Sequence, residues 1–332
     1  MEYDVGIRVD MGGKIGSGHY FRCLAIAQQL QRQKKKVIFL VKNKTELLKH
    51  ENKKIQYIQL EKGSEQIRIR HCKKLADRIK LFIIDLPAYS ELYAKELKAD
   101  NKIIIFDDVG NKKLDCDIII NGTIVKKFQK YNIKNQNTKV CLGSKYLILR
   151  NQFYKTNKNY NVSISIKKIV VTFGGNDEKN YSYKITKFLC QNGYNVTVIL
   201  GPTYKKNKRI LDLSKKFLNL QIRQNVKNIS KLFITQDLVI CSVGITVYEL
   251  ACLGVPCIMI PDTKLQNIMA NEIQKQGFGI NFGKLENNLE ELRKNLSKLE
   301  PTDKRKKISK KGKKMIDGKG LSRVVKILLS LT

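Results

Sequence analysis

A chain of 332 residues with 42% hydrophobic content is too long for one comfortable core and about right for two domains. No stretch approaches the roughly 20 apolar residues that a membrane span requires, so no membrane span is expected. The formal charge of +35 comes from 64 basic against 29 acidic residues, yet only 12 of the basic residues are Arg, the side chain that phosphate and base readout usually enlists. Lys spread through every segment reads as a solvated basic surface rather than a nucleic-acid interface.

Apolar, β-branched runs alternate with amphipathic segments along the whole chain. The start, Met1 to Asp10, is a strand-like run with acids, not a basic segment followed by an apolar one, so a cytoplasmic protein is expected. The predicted strands of the first half are Val5–Val9, Val37–Val41, Ile55–Leu60, Leu81–Ile84, Ile103–Phe106 and Ile118–Ile120, with a helix from about His19 to Gln33. The polar stretch Tyr154–Ser165 reads as a linker. A second series follows at Ile169–Phe173, Val196–Leu200, Leu220–Arg223, Leu238–Cys241 and Cys257–Ile260. Continuous apolar strands separated by helices mean parallel sheets covered on both faces. The expected fold class is therefore α/β, with two Rossmann-like domains, 1–153 and 166–332, facing across a cleft where ligands bind at the strands' carboxyl ends. The densest basic run, Lys304–Lys314, is expected to be exposed helix surface.

Eight cysteines without a CxxC pair, in a reducing compartment, fit scattered buried thiols better than disulfides or zinc, and three histidines leave little for a metal site. No metal and no cofactor are expected.

The segment Arg8–Cys23 places Gly12, Gly13, Gly16 and Gly18 between a strand and a helix. Glycines there let a backbone approach a ligand closely, and a helix start attracts anions. The pattern is neither a dinucleotide fingerprint nor a P-loop, because the third glycine and the Lys-Ser/Thr pair are missing. His19 stands at the first turn of the predicted helix, where a proton acceptor could activate water against a phosphate-bearing carbon; it could equally cap the helix. Arg22, one turn on, faces a phosphate or pairs with an acid. Asp10, at the strand end, orients a group or caps the loop.

In the second half, Gly174 and Gly175 follow a strand directly and form another close-approach loop or a simple turn. The stretch Cys241–Pro261 reads strand, turn, helix, loop, strand. Its Ser242, Gly244 and Thr246 line a helix start whose N–H groups can hold pyrophosphate. Glu249 is either a carboxylate able to accept both ribose hydroxyls or an exposed helix acid.

Several motifs together resemble the UDP-2,4-diacetamido-2,4,6-trideoxy-β-L-altropyranose hydrolases of pseudaminic acid biosynthesis, a family with relatives named for spore-coat polysaccharide synthesis. They are Arg8-x-Asp10 and Ile15-Gly16-x-Gly18-His19-x-x-Arg22-Cys23-Leu24, then Phe106-Asp107-Asp108, Leu142-Gly143-x-x-Tyr146-x-x-Leu149-Arg150 and Phe173-Gly174-Gly175-x-Asp177. The resemblance implies the glycosyltransferase B architecture, similar to the MurG-type transferase. It implies His19 as base, Glu249 on the ribose, and Gln266 as a cleft-facing side chain, with Asp107 in the strand-end acid pair. It also implies cleavage of the glycosyl C–O bond with inversion, releasing UDP from a small-molecule UDP-sugar. The chain departs from the family at Val243 and Ile245, at Leu265-Gln266, and in the spacing Asp85-x-x-x-Tyr89, all on the sugar side. Two rivals stay open: a UDP-sugar glycosyltransferase of the same architecture, and a basic nucleic-acid-binding or scaffold protein. Nothing in the sequence sets an oligomeric state.

Overall fold

The computed structural model describes residues 2–11, 18–43, 55–98, 101–133, 135–156, 160–174, 177–201, 208–285 and 289–332. Gly16 and Gly175 lie outside the described residues. The chain forms two units, residues 1–150 with 318–332, and residues 151–317.

The first unit carries β1 (Tyr3–Val9), α1 (Gly18–Arg32), β2 (Val37–Val41), β3 (Gln56–Gln59), α2 (Glu65–Lys74), β4 (Ile79–Asp85), α3 (Ser90–Leu97) and β5 (Lys102–Phe106). It continues with β6 (Lys112–Leu114), β7 (Ile118–Asn121), β8 (Tyr131–Ile133) and β9 (Lys139–Leu142). Seven strands form one parallel sheet in the order β3-β2-β1-β4-β5-β7-β9. The period-2 alternation of a strand divides its apolar run between two cores. Leu81 and Ile83 of β4 join Tyr20, Ile26 and Leu30 of α1 on one face. Phe82 and Ile84 join Ile69, Tyr93 and Leu97 on the other.

The second unit runs α4 (Asn151–Thr156), β10 (Lys168–Thr172), α5 (Tyr181–Gln191), β11 (Asn195–Leu200), α6 (Lys208–Lys216), β12 (Leu220–Gln224), α7 (Ile229–Phe233) and β13 (Leu238–Ser242). After these come α8 (Ile245–Leu253), β14 (Cys257–Ile260), α9 (Lys264–Lys275), β15 (Ile280–Asn281), α10 (Leu289–Leu299) and α11 (Thr302–Met315). Its parallel sheet has the order β12-β11-β10-β13-β14-β15. The α/β class and parallel sheets are those expected. No helix among the described residues is long and apolar enough to cross a membrane.

Three details differ from expectation. The first sheet does not close at β7, because Lys139–Leu142 adds an edge strand whose short, Lys-led sequence hides it among polar neighbours. The stretch expected to be wholly linker begins inside α4. The last helix, α12 (Gly320–Leu329), belongs to the first unit rather than to a domain running to residue 332. Leu321, Val324, Val325 and Leu328 recur at helical spacing, and that stripe fills the core beside Cys23, Ile26 and Ala27 of α1. Gly320 makes this docking possible, since a methyl group there would overlap the Leu147 carbonyl. Gly320→Ala is therefore expected to destabilise the protein by about 1–3 kcal/mol, the usual cost of overpacking, as read from urea unfolding; an unchanged midpoint would show that the helix can shift without loss.

The basic run near the C-terminus is α11. Lys304, Lys306, Lys307, Lys310, Lys311 and Lys314 are exposed, as expected, but Arg305 is wholly buried. Its five N–H groups go to five oxygens, the carbonyls of Leu299, Ser163, Ile164 and Glu300 and the Ser163 hydroxyl, at 2.8–3.1 Å.

Candidate functional site

The spacing His19-x-x-Arg22-Cys23 puts three side chains on one face of α1, at positions i, i+3 and i+4. In the sheet β4 lies beside β1, with Asp85 in register with Val9. The last residue of β4 is thereby brought under the first turn of α1. Asp85 is fully buried, and each carboxylate oxygen takes two hydrogen bonds. Oδ1 accepts from His19 Nδ1 at 2.7 Å and Arg22 Nη2 at 2.6 Å. Oδ2 accepts from Arg22 Nε at 2.8 Å and the Cys23 thiol at 3.3 Å.

Burial alone would raise the Asp85 carboxyl. The Arg22 guanidinium and the His19 hydrogen bond outweigh it and hold the carboxyl well below the usual carboxylate range. The same cluster pushes the buried Cys23 thiol well up, first through burial and then through Asp85, so Cys23 serves as a packed donor and not as a nucleophile. Burial would lower Arg22, but Asp108 and Asp85 raise it well above its ordinary value. Its other end forks onto Asp108, with Nη1–Oδ1 at 2.8 Å and Nη2–Oδ2 at 3.1 Å, and its face lies over the Phe106 ring at 5.2 Å.

An ionised carboxylate can only accept, so in the neutral ring Nδ1 carries the hydrogen and Nε2 presents a lone pair. His19 is about one-fifth exposed on its side chain, while its orienting partner is sealed away. This is an oriented proton acceptor whose conjugate imidazolium is met by a buried negative charge.

Other residues singled out from the sequence have internal partners. Arg22 pairs with acids. Asp10 is clamped by Arg8 through two bonds of 2.6 and 2.8 Å and takes the Lys42 backbone N–H at 2.8 Å. Arg8, fully buried, also donates to Tyr93 and Glu65 and so ties β1 to α2 and α3. Asp107 turns inward to the Gly110 N–H at 2.6 Å, the Tyr131 hydroxyl at 2.8 Å and Lys112 at 2.5 Å. It fixes the turn from which Asp108 projects. Asp85 and Asp108 are thus the acids that meet His19 and Arg22, and neither was among the selected site residues. Gly18 is the first residue of α1, and a side chain there would meet open space.

In the second unit the helix starts differ in capping. The Asp177 carboxylate takes the Tyr181 and Ser182 N–H groups at the start of α5. Asn228 caps α7 and Thr263 caps α9. At α8 the cap residue is Gly244 and no side chain caps the helix. Gly244 and Gly174 both face open space, the latter at φ +73°. Ser242 and Thr246, half-buried, flank that start. An uncapped helix start with glycine at its cap offers N–H groups to an anion. Glu249, further along α8, is 2% exposed, so it is no solvated surface acid. Gln266 closes the start of α9, its side-chain oxygen accepting from the Asp262 N–H at 2.7 Å. Lys179, after β10, pairs with Asp262, after β14; β13 lies between those two strands in the sheet.

Residues 168–323 match the glycosyltransferase family 28 C-terminal domain. An uncharacterized protein of Methanocaldococcus jannaschii is 29% identical over 280 residues, which cover 79% of this chain but only 56% of that protein, so the chain spans little more than half of that relative. The spore coat polysaccharide biosynthesis protein SpsG of Bacillus subtilis is 27% identical over 335 residues, covering 98% of each. Among solved structures, MurG of Acinetobacter baumannii superposes with a TM-score of 0.67 at 16% identity, over 98% of this chain and 99% of that one. The chain thus shares its α/β fold with MurG and matches the glycosyltransferase family 28 C-terminal domain from β10 into the start of α12.

Proposed function

We propose that this chain is a sugar-nucleotide hydrolase that removes UDP from a UDP-linked diacetamido-trideoxy sugar, in nonulosonic (pseudaminic) acid or surface-polysaccharide biosynthesis. The observation that carries the hydrolytic reading is the buried Asp85 carboxylate behind His19, which leaves Nε2 as the accepting atom. In the proposed reaction Nε2 takes a proton from water as the water oxygen bonds to the anomeric carbon. The bond from that carbon to the phosphate oxygen breaks, its electron pair leaves with UDP, and the configuration inverts. Asp85 balances the imidazolium that forms. The second unit holds UDP, its phosphates at the uncapped start of α8 and its ribose on Glu249. The match of residues 168–323 to a glycosyltransferase domain supports nucleotide binding there. The spore-coat relative's name supports a place in polysaccharide synthesis.

The same domain match favours a second reading, transfer of the sugar to an acceptor hydroxyl in place of water. Both are tested by incubating the protein with UDP-amino-sugars and no acceptor. Hydrolysis predicts stoichiometric UDP and free sugar, with NMR of the fresh product showing the inverted anomer. UDP release that appears only on adding an acceptor would sink the hydrolase reading and leave the transferase.

A further inference from the structure

A parallel sheet sorts its loops: the turns that leave strands lie at one end and the turns that enter them at the other. In the second unit Gly174, the turn after Ser242 and the start of α8 all follow strands. Two of the entering turns, at the opposite end, carry Ile164, four residues before β10, and Leu218, two before β12. These side chains are 89% and 104% exposed, while no other large apolar side chain among the described residues exceeds 54%. Ile169 is in register with Val196, and Val196 with Leu220, so the two turns enter strands about 10 Å apart.

Both side chains are held by their backbones. The Ile164 carbonyl accepts from the Thr302 hydroxyl at 2.7 Å and from Arg305 Nη2 at 2.8 Å, and the Ser163 carbonyl accepts from Arg305 Nη1 at 3.0 Å. Beside Leu218, the Asn219 side chain donates to the carbonyls of Cys190 at 3.1 Å and Tyr194 at 2.8 Å, which ties this turn to the one entering β11. A single exposed leucine needs no explanation. Two aliphatic side chains fixed outward at the same end form a pair of apolar tips, and lysines flank both. Lys167 and Lys168 follow Ile164, Lys215 and Lys216 precede Leu218, and Lys304 stands on the first turn of α11; all five are exposed. Among the neighbouring acids, Asp237 accepts from the N–H groups of Lys167 and Lys168, Asp212 faces Lys215 and Asp303 faces Lys306, while Glu300 is exposed.

We propose that this end of the second unit is a docking face for an anionic lipid bilayer, with Ile164 and Leu218 entering the headgroup boundary and the flanking lysines meeting lipid phosphates. The inference goes beyond the sugar-nucleotide reading and does not depend on it. The excess of 64 basic over 29 acidic residues draws the chain to any anionic surface, but lysines spread over every segment do not orient it. The tips supply the orientation. An aliphatic side chain gains by leaving water, and a lysine stem lies along apolar surface while its ammonium stays at the headgroups. The carboxyl ends of this unit's strands then face away from the bilayer. A second copy of the chain would bring the same positive charge against itself. A nucleic acid would meet the lysines, but aliphatic tips give a base no ring to stack on.

The chain has no Trp, so Ile164→Trp and Leu218→Trp each carry a single reporter, and so does Leu265→Trp on the first turn of α9, at the opposite end of the same sheet. The test titrates the full chain, wild type and variants, with phosphatidylcholine vesicles containing about 30% phosphatidylglycerol and with phosphatidylcholine alone; thermal melting confirms folding. On the anionic vesicles the reporters at 164 and 218 should shift to the blue and be quenched by brominated acyl chains, while the reporter at 265 does neither. The double variant Ile164→Ser with Leu218→Ser should bind those vesicles about tenfold or more weakly than wild type. Wild-type binding should also fall at least about tenfold between roughly 0.1 M and 0.5 M salt. Failure of the wild type to bind anionic vesicles, or equal binding to phosphatidylcholine alone, would overturn the inference whatever the variants do. So would binding that a folded serine pair leaves unchanged, or an equal blue shift at 265. The same blue shift at 164 and 218 on adding duplex DNA in place of vesicles would assign the face to nucleic acid and overturn it as well.

Discussion

Asp85→Asn is expected to lower turnover of the UDP-sugar by about 10²–10⁴-fold while leaving UDP affinity intact, the scale of losing an oriented general base. An amide has one acceptor oxygen where the carboxylate has two. If its NH₂ turns to His19, the hydrogen moves to Nε2 and the accepting lone pair is lost. If it turns to Arg22, the buried guanidinium loses a partner at Nε. In either orientation the charge that meets the imidazolium has gone. His19→Asn should cost about as much, and the double variant should be no slower than the slower single one by more than roughly threefold, because the two residues act as a unit. A loss below tenfold in Asp85→Asn, with the protein folded, would take Asp85 out of the reaction. The same residue sets an acid signature. Its folded carboxyl titrates below the ordinary value near 4, so its contribution to stability is complete above about pH 4 and fades as pH falls toward the depressed folded value. Asp85→Asn should lack that part of the acid dependence.

The largest effect on stability is expected from Arg305→Ala, roughly 3 kcal/mol or more by urea unfolding. Every N–H of this buried guanidinium is satisfied, and none of its five partners is a carboxylate. Removing it takes the guanidinium away from the carbonyls of Ser163 and Ile164 on the segment leading into β10, of which Ile164 keeps the Thr302 hydroxyl, and from those of Leu299 and Glu300 at the corner between α10 and α11. Each buried acceptor left without a partner costs about 1–3 kcal/mol before relaxation. Its neighbours Lys304, Lys306 and Lys307 are exposed, and changing all three to Gln should move stability by no more than about 0.5 kcal/mol per site. A small effect for Arg305→Ala would mean that water or a shifted backbone replaces the guanidinium.

The strands were legible because parallel strands buried on both faces are unbroken apolar runs, and Val37–Val41 and Cys257–Ile260 coincide with the observed elements. Helix α1 was legible from glycine punctuation and helical spacing. The acids were harder. Asp10, Asp85, Asp107 and Asp108 all stand at or just beyond carboxyl ends of strands, so composition and spacing treat them alike. What separates Asp85 is strand order: β4 is inserted next to β1 and therefore lies beneath α1, which no local pattern states. What separates Asp108 from Asp107 is side-chain direction in a turn, set by the distant Tyr131 and by Lys112. Arg305 was hidden in a run of lysines because a single inward position on a basic helix has no compositional mark. The docking of α12 was hidden because an apolar stripe announces that something will cover it, not which sheet will.

That last helix makes the first unit discontinuous in the chain, with the whole of residues 151–317 inserted between its parts. The order of synthesis is therefore not the order in which cores can be completed. When residue 150 has been made, the face of the sheet that carries Tyr20, Ile26 and Leu30 still lacks Leu321, Val324, Val325 and Leu328. The second unit, contiguous in sequence, has all its strands and its Arg305 clamp before those four side chains exist. A nascent chain thus carries an unfinished apolar surface through the making of more than half its length, and the half that begins first is the half that closes last.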